Sequence, residues 1–244
     1  MLRTFGWLLA VAVILLAWQL VTGLGLVDRS VLPSVTDTVA AVYTDVRSAA
    51  FWQDVAHTSL YTAVGLVVGM VIGIVGAVIC FAIPGAFRLL SPYLTFLNSM
   101  PRVILVPLFV LFFGLGASSE VAVAASLVLF PVLFGAYGGF AERREDLVQS
   151  IRILGGRASS VWRLVIVPSA LSSLIAAARL GLSLALLGTV ITEMLIVPYG
   201  LGALLRLRAG VFDVAGLFSV VLVLAVITLV ANAVVDAVAA RLRH

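Results

Sequence analysis

The stretch RREDLVQSIRILGGRASSVWRLVIVP, residues 143–168, sets the reading of the whole chain. It carries five arginines together with Glu145 and Asp146, and apolar runs long enough to cross a membrane flank it on both sides. On a helix over 145–154, Leu147, Ile151 and Leu154 share one face, and Glu145, Gln149 and Arg152 share the other. Gly155 and Gly156 are stop signals for that helix. Ser159 or Ser160 can cap a second short helix, VWRLVIV. Pro168 then opens the next apolar run, at a place where a missing N–H costs little. The block is expected as two short helices about a glycine hinge, lying at a membrane surface with arginines near anionic lipid.

The composition places the rest of the chain in a bilayer. Of 244 residues, 63% are hydrophobic and 11% charged, with a mean hydropathy of +1.25. Soluble domains carry about 25% charged residues, and a chain of this length has no soluble core large enough to hide so much apolar surface. A span needs about 20 apolar residues, and six candidates satisfy this: 5–27, 58–83, 93–113, 119–140, 168–196 and 214–238. The first is too long for the apolar region of a signal peptide and is read as a retained span. The fold class is therefore all-α, a single polytopic membrane domain over 1–244.

Arginine counts give the orientation. With the N-terminus in the cytoplasm, nine arginines lie inside: Arg3, Arg88, the five of the polar block, Arg241 and Arg243. Four lie outside: Arg29, Arg47, Arg206 and Arg208. The bias favours cytoplasmic termini, with 143–167 as the largest cytoplasmic loop. Residues 28–57 become an external segment with a short helix against the bundle. Within the spans, Gly65, Gly69, Gly73 and Ala77 form a stripe that lets two helices approach closely, either inside one chain or between two. Pro92, Pro101 and Pro107 predict a kinked third span, either lining a pore or purely structural.

The block also resembles the cytoplasmic signature loop of the permeases of binding-protein-dependent ABC importers. That pattern is Glu-Ala-Ala, three residues, Gly, nine residues, then Ile-x-Leu-Pro. Here Gln149, Ser150 and Ile151 take the opening triplet, Gly155 the glycine, and Val165 to Pro168 the close. The spacing holds throughout; the triplet departs, so no ionic contact is carried over to position 149. LPSVTDTVAAV (32–42), SMPRVILVPLFVLFFGLG (99–116) and ITEMLIVPYGLGALL (191–205) are similar to the nitrate, sulfonate and taurine group of these permeases, in the same order. The resemblance implies a type I importer permease in a bacterial inner membrane, passing a small anionic solute. It implies that Glu145, Leu147, Gln149, Ser150, Ile151, Arg152, Leu154, Gly155 and Pro168 couple to a separate ATPase subunit, which binds ATP and Mg. It further implies a soluble or lipid-anchored binding protein outside and a second permease copy.

Ionisable residues inside spans are costly and mark candidate path positions. They are Arg102, flanked by Asn98 and Ser99, then Arg179 and Glu193. Glu193 is read as the only acid well inside a span, and as a support for the outer loop. Asp236 is expected to snorkel to the membrane surface or to pair with Arg241 or Arg243. His57 and His244 are far apart and read as isolated surface residues, and no spacing suggests a metal site. The chain has no G-x-x-x-x-G-K-[ST] loop and no recognisable nucleophile motif, so no cofactor and no catalytic residue is expected in it. Its arginines are scattered between apolar runs, which gives no nucleic-acid surface. The rival reading, a self-sufficient carrier or channel, needs an internal repeat or an acidic relay in the membrane; neither stands out.

Overall fold

The computed structural model describes residues 2–142 and 145–242, and among them every regular element is helical. In chain order these are α1 (Leu2–Gly23), α2 (Val35–Val46), α3 (Ala49–Ala82), α4 (Ala86–Ser99), α5 (Arg102–Phe113), α6 (Ala117–Ala141), α7 (Glu145–Ile153), α8 (Ala158–Val161), α9 (Val167–Leu195), α10 (Leu201–Gly210) and α11 (Val214–Leu242). A π-helical turn, Trp162–Ile166, joins α8 to α9.

The glycine stripe of α3 faces α6. A Cβ on Gly65 would sit 2.5 Å from that of Ala124, and one on Gly69 would sit 2.7 Å from the carbonyl of Ala125. One on Gly73 would lie 2.6 Å from the carbonyl of Leu129. The stripe therefore serves packing within the chain. Contacts advance together along α3 and α6, so these helices are parallel. Gly188 meets Ala124 while Gly139 meets Ala170, so α9 runs antiparallel to both. Without a hydrophobic drive between helices in lipid, close backbone approach and dispersion hold such a bundle. Outward faces are apolar, as on Ile14, Phe112 and Leu229.

Parallel α3 and α6 require the chain to return between them, and α4 and α5 make that return. Four helices are long and apolar enough to cross a membrane, and this bent pair makes a fifth span. Helix α1, with 22 residues, covers most of the first expected span. The expected single kinked helix over 93–113 is corrected to two helices meeting at 95°. Met100 is extended, as a residue before proline prefers. The carbonyl of Leu97 would accept from position 101 in a continuing helix, but Pro101 has no N–H. Arg102 supplies the donors instead: its guanidinium donates to the carbonyls of Leu97 at 2.9 Å and Asn98 at 3.1 Å.

The span expected from residue 58 begins earlier, at Ala49, because Ser48 caps the helix and carries Asp54 and His57 into it. The span expected from Pro168 begins at Ala158, so one helix of 38 residues runs through the proline. Pro168 cannot donate to the carbonyl of Leu164. The chain widens into a π turn just before it, with the Val167 N–H reaching Trp162.

The short helix expected in 28–57 is α2. Ser34 caps it by accepting from the N–H of Asp37 at 3.0 Å. Gln19 of α1 accepts the N–H of Val35, and Trp18 donates to the carbonyl of Pro33. The far end of α2 is tied by Asp45, which is buried. Arg208 of α10 pairs with both of its oxygens, and Ser219 of α11 donates to one of them. Arg208 also donates to the carbonyl of Gly216 at 2.6 Å.

Candidate functional site

The polar block closes one end of the α3–α6–α9 bundle. Its α7 turns Val148 inward, with Ile151 partly buried beside it. Of the three residues that share the apolar face in sequence, only Ile151 is turned in; Leu147 is exposed, and Leu154 is 85% exposed. The difference follows from the anchor. Val148 and Val161 meet a floor of Phe140 and Ala77, while the rings of Phe81 and Phe140 lie 5.6 and 5.7 Å from Trp162. Glu145, Gln149 and Ser150 face solvent, and so do Ile153 (84% exposed) and Pro168. Arg143, Arg144 and the side chain of Arg152 lie outside the described residues.

Gly155 ends α7 at φ +75°, and the N–H of Gly156 reaches back to the carbonyl of Ile151 at 2.8 Å. This is a Schellman closure, which needs a left-handed residue at position 155. The second helix starts at Ala158 with Arg157 as its cap, not at the serines expected to cap it, and neither serine is needed.

The opposite end of the bundle holds a buried polar cluster. Glu193 of α9 is fully buried. It accepts the hydroxyl of Thr58 at 2.8 and 3.0 Å and the N–H of Gly202 at 2.8 Å. The hydroxyl of Thr58 in turn accepts the N–H of Leu201 at 2.9 Å, and Asp54 accepts that of Gly200 at 2.8 Å. Glu193 thus holds the start of α10. Nδ1 of His57 lies 3.3 Å from Glu193 and 3.9 Å from Glu120 of α6. His57 is not an isolated surface residue; the separation of 136 residues from Glu193 hid the pairing. Glu120 is the acid that sequence reading missed. It sits at the edge of an apolar run beside GLGASS, yet it is 0% exposed and neither oxygen has a hydrogen-bond partner.

Residues 69–244 match the family of binding-protein-dependent transport system inner membrane components. The chain belongs to that family. The permease is 32% identical over 216 residues to the riboflavin transport system permease protein RibX of Chloroflexus aurantiacus, covering 88% of this chain and 81% of that one. It is 29% identical over 204 residues to the putative aliphatic sulfonates transport permease protein SsuC of Escherichia coli, covering 84% and 77%. Its fold matches an inward facing structure of the MetNI methionine ABC transporter at a TM-score of 0.69, with 18% identity over 78% of this chain and 96% of that one. It is an ABC importer permease of the type I fold, a transport subunit rather than an enzyme.

The path positions of the permease do not converge. Arg102 is 8% exposed, lies over the ring of Phe130, and spends donors on the α4–α5 elbow. Asn98 offers it a backbone carbonyl, while the hydroxyl of Ser99 turns back to Thr95. Arg179 pairs with Asp236 of α11 at 2.6 Å, both half exposed, a partner the sequence did not suggest; Arg243 lies outside the described residues.

Proposed function

We propose that this permease passes a small anionic solute of the sulfonate or organic-acid class from an external binding protein to the cytoplasm, driven by an ATPase subunit that binds ATP and Mg. The observation that carries the reading is the anchored helix–glycine–helix at one end of the bundle. Val148 and Trp162 fix it from beneath, while Ile153 and Leu154 present apolar side chains outward. A soluble partner with an apolar groove would cover them. Names of relatives that transport sulfonates and taurine support the solute class. A second copy of the permease would complete the path, with the half-exposed pair Arg179–Asp236 beside it. Arg102 would contribute only the N–H groups left over from the elbow. Membrane lipid surrounds the apolar faces.

This reading places both termini and the polar block in the cytoplasm. A reporter fused after Arg144 should be active there, and one fused near Asp45 should be active outside. Reversed signals at both sites would refute the orientation and the coupling role together.

Coupling is tested at Gly155. No neighbour lies within 4 Å of a Cβ placed there, so the cost of a side chain is backbone strain alone. A β-branched residue in the left-handed region loses about 1–2 kcal/mol, roughly a 5–30-fold loss of the docking conformation. In proteoliposomes with the ATPase and binding protein, Gly155→Val should lower solute uptake and solute-stimulated ATP hydrolysis together. Abundance in the membrane should hold. Full retention of both activities would detach the loop from coupling, and uptake without nucleotide would favour a self-sufficient carrier.

A further inference from the structure

We propose that His57, Glu120 and Glu193 form a binding site for a divalent cation of the zinc class, at the end of the bundle opposite the polar block. The site does not depend on the transport reading above. Each ligand comes from a different helix of the core: α3, α6 and α9. Nδ1 of the imidazole and one oxygen of each carboxylate all lie within 4.8 Å of one another. Zinc bonds of ~2.0–2.2 Å at tetrahedral angles put ligand atoms about 3.4 Å apart. The separations of 3.3 Å from His57 to Glu193 and 3.9 Å from His57 to Glu120 already approach that value. Small side-chain rotations bring the three together and leave a fourth position for water.

Glu120 is the observation that points to a ligand. A buried carboxylate without a donor is among the costliest groups a fold can hold. Glu193 has its donors in Thr58 and Gly202; Glu120 has none and points at His57 and Glu193. A dipositive ion neutralises both carboxylates while the imidazole remains neutral. The bonds to Glu193 are those an outer shell makes to orient a metal ligand: Leu201 N–H fixes the Thr58 hydroxyl, which donates to the carboxylate. One nitrogen and two oxygens, with no thiolate, suit zinc, cobalt or manganese over copper(I). His57 is 22% exposed while both carboxylates are fully buried, so the ion enters along the imidazole edge.

The test uses the full-length permease in detergent, without a histidine tag, after treatment with EDTA. Zinc titrated in should bind at one site per chain and raise the melting temperature by about 5–10 °C at a hundredfold excess over Kd. Cobalt(II) should give the visible absorption of a tetrahedral N/O site. Glu120→Gln and His57→Gln should each weaken zinc binding by tenfold or more, while Asp37→Asn at the surface should not. If neither variant folds, the wild-type cobalt spectrum and zinc titration decide alone. Absence of a saturable site in the wild type would overturn the proposal, and so would undiminished binding in both variants. A wild type that binds no zinc while Glu120→Gln gains stability would mean that a shared proton holds the carboxylates.

Discussion

Gly69→Val is expected to remove the folded permease from the membrane. The Cβ of the new residue would lie 2.6 Å from Cβ of Val128 and 2.7 Å from the carbonyl oxygen of Ala125. The second contact is with backbone, so no rotamer relieves it. Helices α3 and α6 would have to separate along the whole stripe, because Gly65 and Gly73 set the same approach one turn to either side. Overpacking typically costs 1–3 kcal/mol where side chains can yield; here the cost should reach or exceed ~3 kcal/mol. Size-exclusion profiles of a fluorescent fusion would show it as loss of the monodisperse peak. Val67→Leu, on an exposed position of the same helix, should leave the peak unchanged. A monodisperse Gly69→Val protein would mean that α3 and α6 do not meet as described.

Arg208→Met should lower stability by about 3–5 kcal/mol, the usual cost of stripping one partner from a buried ion pair. The loss exceeds one salt bridge because Asp45 would remain buried with only the Ser219 hydroxyl as donor. The carbonyl of Gly216 would lose its guanidinium partner as well. Thermal unfolding in detergent would measure the drop. Adding Asp45→Asn to Arg208→Met should recover part of it, since a neutral amide is cheaper to bury than a carboxylate. No recovery in the double variant would place the cost in lost packing by the arginine stem instead.

The parts of this fold that sequence made legible are those with local causes. The stripe Gly65–Gly69–Gly73 announced a close helix contact, and the backbone geometry at Gly155 required glycine. The elbow was only half legible. Pro92, Pro101 and Pro107 look alike in sequence, yet two sit inside helices and one divides them. The difference is Arg102, whose side chain can reach the carbonyls that Pro101 strands. The start of α3 was obscured because Asp54 and His57 lower the hydropathy of a turn that Ser48 nonetheless caps. Helix α10 was obscured because Gly200 and Gly202 read as loop residues. The carboxylate of Glu193 occupies the space a side chain at Gly200 would need, and the carbonyl of Val190 with the Glu193 stem fills it at Gly202. The buried cluster was the least legible. Its members come from three helices far apart in sequence, and no spacing rule joins His57 to Glu193 across 136 residues.

The continuous helix Ala158–Leu195 has a mechanical consequence. Its 38 residues span roughly 57 Å at ~1.5 Å per residue, nearly twice the ~30 Å of a hydrocarbon core. It begins at the aromatic floor beneath the polar block and ends two residues beyond Glu193. It therefore has the reach of a lever. Tilting it by about 5° carries the far end sideways by roughly 5 Å at this length, more than a hydrogen bond's reach. Were the helix to rock as one rod at Trp162, that movement alone would alter the grip of Glu193 on Thr58 and Gly202.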